Sequence, residues 1–304
     1  MKINSEFKSG FVAIVGRPNV GKSTLLNAFL KDKVSIISPI PQTTRHQIKG
    51  ILNEAGVQIV FVDTPGMHNF KDKLSLHLNT IAKRALEGVD LIIYVVDVSR
   101  RPGAEENRLI RILTNQPVKT IMVLNKTDLG HKFLDEYIAL WQESVSAKKK
   151  DCLLYYIMTS ALKGKKVEEL KEIIIENLPQ FHPYYDKGTV TDFPIKFRMA
   201  DIIREKLFLK LAEELPHDLA VEVDEIRRKK TAHYIKANIY VKRSSQKKIV
   251  VGKKGQILKD VGRLARIEIE KIIKKKVFLD IWVTVLKDWQ NSPRILKELG
   301  YWWA

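Results

Sequence analysis

The chain has 304 residues, room for two domains, and its 45% apolar and 29% charged composition excludes a disordered or fibrous chain. Lys and Arg number 53 against 35 Asp and Glu, a formal net charge of +18, which points to a polyanionic partner, nucleic acid ahead of an anionic membrane surface. One cysteine, Cys152, excludes an intramolecular disulfide and fits a reducing cytosol; no apolar run approaches the roughly 18 residues of a membrane span, and the first ten residues lack the apolar segment of a secretion signal.

Residues 11–16 read as a buried strand entering a Gly-rich turn. Residues 57–62, 91–98, 120–125 and 153–159 read as four more strands. Helical periods near 22–31, 73–87, 105–115, 131–146 and 166–177 fall between them. This alternation predicts an α/β domain with a mostly parallel sheet covered on both faces. Such sheets bind ligands at the carboxyl ends of their strands.

Pro179, Pro183 and Pro194, with Gly188 between them, punctuate a stretch without period. It predicts a linker at 181–194 between a first domain, 1–180, and a smaller α+β domain, 195–304. The net charge is +7 before residue 181 and +11 after it, so the shorter second part is the better polyanion surface. There, 201–214 shows a helical face of Ile202, Ile203, Leu207 and Leu211. Residues 219–226 and 235–241 alternate like half-buried strands, with Ile235, Ala237, Ile239 and Val241 on one side. Residues 249–251 lead into Gly252-Lys253-Lys254-Gly255. A long helix over 256–275 and a strand over 277–286 follow. The order is α-β-β-α-α-β. Trp282, in mid-strand, is expected in the core; Trp289 suits either core or base stacking.

Gly16-Arg17-Pro18-Asn19-Val20-Gly21-Lys22-Ser23 fits the phosphate-loop pattern G-x-x-x-x-G-K-[ST], between a strand and a helix as that pattern requires. Its glycines let backbone N–H groups turn around phosphates, and the helix N-terminus, continued by Thr24, adds a positive end. Lys22 is placed to reach the β and γ phosphates and Ser23 to ligate Mg²⁺. Asp63-Thr64-Pro65-Gly66 ends the next strand. Asp63 can hold Mg²⁺ through water, and the Gly66 N–H can approach a γ-phosphate because no side chain intervenes. In Gln42-Thr43-Thr44-Arg45, Thr44 is the hydroxyl expected to complete the Mg²⁺ shell when a γ-phosphate closes the loop. Asn125-Lys126-Thr127-Asp128 is the base reader: the Asp128 carboxylate can accept from guanine N1–H and the 2-amino group, which adenine cannot match. Ser160-Ala161-Leu162 is expected to offer a backbone N–H to guanine O6.

Gly252-Lys253-Lys254-Gly255 between two helices fits the GXXG loop of a KH fold, which clamps about four nucleotides of a single strand. Its two glycines admit a phosphate backbone and its two lysines supply charge. The next helix carries Lys259, Arg263, Arg266 and Lys274 on one side and Leu258, Val261, Ala265, Ile269 and Ile272 on the other.

The five nucleotide elements, in this order, resemble a translation-factor-type GTPase domain. The loop Gly-Arg-Pro-Asn-Val-Gly-Lys-Ser, the Gln42-Thr43-Thr44-Arg45-His46 stretch and Met67 after Gly66 resemble the bacterial Era-type branch. With the type II KH order, the resemblance covers essentially the whole chain, supported by residues 201–207, Glu213-Glu214-Leu215-Pro216-His217 and Leu299-Gly300-Tyr301. It implies a GTPase acting on GTP with Mg²⁺ and cycling to GDP. It also implies binding of the 3′ end of 16S rRNA and help in maturing the 30S ribosomal subunit. A cytoplasmic location, contact in some cases with the inner membrane, and a monomeric state complete the expectation. Met67 stands where Ras-like relatives carry a water-orienting Gln, so slow intrinsic hydrolysis is expected. In some relatives an Asn at the place of Asn19 helps hold K⁺; that role and a turn-forming one are both open. Trp302 and Trp303 have no counterpart in the resemblance. A nucleotide kinase is the first rival, disfavoured by Asn125-Lys126-Thr127-Asp128. A membrane-surface GTPase using its basic helices electrostatically is the second.

Overall fold

The computed structural model describes residues 7–40, 43–66, 73–146, 151–211 and 218–301. Gln42, Met67, Glu213 to His217, Trp302 and Trp303 therefore lie outside the described residues. The chain divides into two compact units. The first comprises 1–35, 44–70 and 78–192, the second 36–43, 71–77 and 193–304.

The first unit is built on a six-stranded sheet of order β2-β3-β1-β4-β5-β6: β1 (Lys8–Val15), β2 (Ile48–Glu54), β3 (Val57–Asp63), β4 (Leu91–Asp97), β5 (Thr120–Asn125) and β6 (Leu153–Met158). Every residue of β4 and β5 is buried, which is why these strands read as continuous apolar runs rather than alternating ones. Helices α1 (Lys22–Leu30), α2 (Lys73–Arg84), α3 (Ala104–Leu113), α4 (Leu134–Ser146) and α5 (Val167–Glu176) follow the expected periods. The sheet is parallel except for β2, which runs antiparallel to β3. No strand was expected at β2. Its residues, Ile-Lys-Gly-Ile-Leu-Asn-Glu, alternate poorly; the tight return through Gly56, at φ 76°, is its clearest signal.

The segment expected to be a linker is laid along the first unit as far as Asp192. Ser9 N–H donates to Pro179 O (3.2 Å), Phe181 N–H to Phe7 O (3.1 Å) and Ile51 N–H to Val190 O (2.8 Å). The buried Gln58 amide donates to Tyr185 O (2.8 Å) and accepts from the N–H groups of Tyr184 and Tyr185 (2.7 and 2.9 Å). The prolines here shape a strap rather than a free tether.

The second unit has the order α6 (Ile195–Lys210), β7 (Leu219–Arg228), β8 (Ala232–Val241), α7 (Ser244–Val251), α8 (Gln256–Ile273), β9 (Lys276–Val285) and α9 (Pro293–Glu298). Its sheet is β7-β8-β9, antiparallel then parallel. Val261, Ala265 and Ile269 of α8 pack with Ile235, Ala237, Ile239 and Val241 of β8, so both apolar faces meet in one core. The first helix starts earlier than its period suggests. Pro194 caps α6, a place where proline's missing N–H costs nothing, and Leu211 is already extended.

The expectation for Trp282 is overturned. Its side chain is 58% exposed, because Val277 and Val283 take the core side of β9 and residues an even number away from Trp282, such as Phe278, point to the other face. Trp289 is the core tryptophan, fully buried with its Nε1 donating to Asp218 O at 3.0 Å. The segment 36–43 shares this unit's core: Ile40 packs in it, Ile37 N–H donates to Glu205 Oε1 (3.0 Å), and the buried Arg204 donates to Thr43 O (2.7 Å), Tyr301 OH (2.9 Å) and Asp201 (2.7 Å).

Candidate nucleotide site and nucleic-acid interface

The phosphate loop leaves the end of β1 and opens α1 with Gly21 in the left-handed region at φ 102°. A Cβ there would lie 2.3 Å from Asn125 Nδ2, so both conformation and space demand glycine. Asn19 is also left-handed, at φ 63°, a conformation asparagine tolerates. Lys22 is buried and its Nζ donates to Gly16 O (3.0 Å) and Arg17 O (2.7 Å), which folds the ammonium back over the loop. Burial pushes its pKa down to about 8, with partial relief from Asp63.

Three residues expected around Mg²⁺ converge. Ser23 Oγ donates to Asp63 Oδ2 at 2.7 Å and lies 3.0 Å from Thr44 Oγ1. Ser35, which the sequence did not single out, also donates to Asp63 Oδ2 (3.0 Å). Asp63 is fully buried; burial raises its pKa, against the pull of Lys22 and the hydroxyls of Ser23 and Ser35. Its Oδ1 has no hydrogen-bond partner among the described residues. A buried carboxylate oxygen without a donor, beside two hydroxyls, suits a hydrated Mg²⁺. Gly66 lies against Pro18 of the loop, so the Asp63–Gly66 turn and the phosphate loop touch directly. Thr24 sits half-buried in the first turn of α1.

At the base end, the side chain of Asn125 holds protein rather than facing outward. Its Nδ2 donates to Val20 O (2.8 Å), and its Oδ1 accepts from Ala161 N–H (2.9 Å) and Thr159 Oγ1 (3.1 Å). It thus ties the phosphate loop to the loop after β6. Lys126, left-handed at φ 65°, pairs with Asp97 at 2.8 Å. Burial opposes ionisation of Asp97, but hydrogen bonds from Lys126 and Ser99 and the charges of Lys126 and Arg100 hold its pKa below the usual carboxylate range. Asp128 is exposed, and its Oδ1 accepts from Ser160 Oγ at 2.5 Å. Within the tripeptide, Ser160 N–H donates to Lys165 O and Ala161 N–H to Asn125, while Leu162 is largely exposed. Asp97 and Ser35 were missed because a lone Asp or Ser at a strand end has no spacing signature.

In the second unit, Gly252 ends α7 at φ 75°, and a Cβ there would meet Ile257 at 2.7 Å. Lys254 and Gly255 are left-handed too, which makes Gly252 to Gly255 a tight corner between α7 and α8. Lys253, Lys254, Lys259, Arg263 and Arg266 are all exposed, and none forms an ion pair among the described residues.

The parallel sheet with its phosphate loop and base reader, followed by this smaller α-β-β-α-α-β domain, defines a P-loop GTPase joined to a KH domain. The family model for the 50S ribosome-binding GTPase matches residues 11–126, and that for the KH domain matches 214–290. The chain is 42% identical over 301 residues to the GTPase Era of Geobacter metallireducens, covering 98% of this chain and 99% of the relative. It is 43% identical over 297 residues to that of Thermoanaerobacter pseudethanolicus, covering 97% and 96%. Among solved structures, it is similar to Era in complex with MgGDPNP and nucleotides 1506–1542 of 16S ribosomal RNA, at 37% identity and TM-score 0.90 over 97% of this chain and 99% of that one. It is equally similar to a variant of Aquifex aeolicus Era bound to GDP and aluminium fluoride, at 37% identity and TM-score 0.89. The chain belongs to the Era family of GTPases.

Proposed function

We propose that the protein is a GTP-hydrolysing switch whose KH domain binds single-stranded RNA at the 3′ end of 16S rRNA, assisting assembly of the 30S subunit in the cytoplasm as a monomer. The observation that carries the GTPase reading is the convergence of Ser23, Thr44 and the half-satisfied Asp63 beside Lys22. The solved relative with MgGDPNP and 16S rRNA supports the choice of nucleotide, metal and RNA.

Mg²⁺ held by Ser23 and Thr44, with Asp63 reached through water, would neutralise charge on the β and γ phosphates. Lys22 and the backbone N–H groups of Asn19 to Thr24 bind and orient the phosphates in the same place. Thr44 and the Gly66 N–H close on the γ-phosphate, ordering the two switch segments. Asp128 and the Leu162 N–H read the guanine edge, while Asn125 and Lys126 hold the reading loops in register. Gly252, Lys253, Lys254 and Gly255 clamp the RNA backbone, with Lys259 and Arg263 extending the positive face. No observation here favours the membrane-surface alternative, and no described helix is long and apolar enough to cross a membrane.

The test is binding and turnover of GTP against ATP, together with binding of an oligonucleotide from the 16S rRNA 3′ end to the wild type and to K253D/K254D. The reading expects GTP preference of at least about a hundredfold, on the scale of roughly 3 kcal/mol for unpaired polar groups, and RNA binding that the double substitution sharply weakens without changing GTP affinity. Equal use of the two nucleotides would refute it.

A further inference from the structure

The first unit carries a charged groove that the nucleotide site leaves unused. The end of α2 and the outer face of α3 bound a cavity of about 590 Å³ lined by Lys83, Asn107, Arg108, Arg111, Ile112 and Asn115, among others. Leu109, Ile110 and Leu113 bury the inner face of α3 against the sheet, which leaves Arg108 and Arg111, three residues apart, on one exposed side. Lys83 is exposed and lines the same groove. None of these three cations has an ion-pair partner among the described residues. The acids of α3 are engaged elsewhere: Glu105 and Glu106 hold Arg17 at 2.6 and 3.1 Å.

The lining decides between polyanions. Protein interfaces draw their energy from buried apolar or aromatic anchors. This groove has no aromatic lining residue, and Ile112 is its one large apolar side chain. Two arginines offer forked donors matched to phosphate oxygens, and the amides of Asn107 and Asn115 can both donate and accept, as phosphate and ribose contacts require. We propose that the α2–α3 groove binds the phosphodiester backbone of RNA independently of sequence, as a second RNA contact distinct from the Gly252–Gly255 loop.

The experiment uses the full chain carrying K253D/K254D, so that residual RNA binding reports on the groove, with oligouridine as probe in a KCl titration. Adding K83Q, R108Q and R111Q should lower the residual affinity at least tenfold at low salt. It should also reduce the slope of log affinity against log salt by about 2, since each single-strand phosphate contact contributes about 0.7. R108K/R111K should retain the slope, and GTP affinity should stay constant in every variant. In the wild type, bound oligouridine should protect Lys83 from acetylation, a readout that needs no substitution. An unchanged slope, an unprotected Lys83, or loss of polyglutamate or phosphatidylserine-vesicle binding with RNA binding intact would overturn the proposal. Failure of K253D/K254D to weaken RNA binding would count against the KH reading alone.

Discussion

Asp128 shows what a residue type in a motif specifies and what its surroundings add. Its carboxylate is open to solvent and accepts a hydrogen bond from Ser160, so under the proposed function it would discriminate only once a base covers it. Asp128→Asn should exchange guanine for xanthine preference, because the amide donates where xanthine presents a 2-oxo acceptor; competition binding with XTP and GTP checks this. Lys22 leads to a pH effect. Its folded pKa, about 8, lies below the ordinary 10.5 because burial disfavours the ammonium. The folded state therefore binds fewer protons than the unfolded state between those values, and the burial penalty on stability is relieved as pH rises through that window. A bound polyphosphate restores the charged form. Nucleotide binding near pH 8.5 should take up a substantial fraction of a proton, and near pH 6.5 Lys22 should contribute none. Calorimetry in buffers of different ionisation enthalpy measures it. These proposed roles rest on residue types at fixed spacing. The use of the Asn125 side chain as a tie between two loops is not, since its partners Val20 and Ala161 are 105 and 36 residues away.

Among the elements, those with a strong period were legible and those without one were not. The buried strands β4 and β5 and the helix α8 announce themselves by apolar runs or a 3.6-residue stripe. Strand β2 exists because β3 offers an edge to pair with, a tertiary reason. Trp282 lost its expected place in the core because alternation along a strand gives two faces without naming the covered one, while Trp289, open to either role, is buried. The corner at Gly252 gives an element-scale prediction. Gly252→Ala must bear φ 75° and a clash with Ile257, strain of about 1–3 kcal/mol that should shift Lys253 and Lys254. Affinity for single-stranded RNA should fall several-fold while GTP affinity holds; equal RNA affinity in a filter-binding assay would show that the corner tolerates a side chain.

For the whole molecule, the division into units does not follow the sequence punctuation. Residues 36–43 belong with the C-terminal core through Ile40 and Thr43, although Thr44, the next residue, lies by Ser23. Ile40→Ala should therefore destabilise the second unit by about 2–3 kcal/mol, the cost of truncating a buried isoleucine. Hydrogen exchange should quicken across α6 and β8; quickening confined to the first unit would contradict the assignment of Ile40. The sequence by itself pointed to the chemistry proposed above: a phosphate-loop pattern, Asp63 as the acid for a metal, Asn125 to Asp128 as the guanine reader, a GXXG corner and an excess of positive charge. It did so because each is local, set by a few residues within one turn. Only the tertiary structure decided that 179–192 is a strap on the first unit, that Ser35 and Asp97 join the site, that Trp289 rather than Trp282 is core, and that the Lys83, Arg108 and Arg111 charges share one groove. Those outcomes depend on which surfaces meet across tens to hundreds of residues, and neither spacing nor composition encodes that pairing locally.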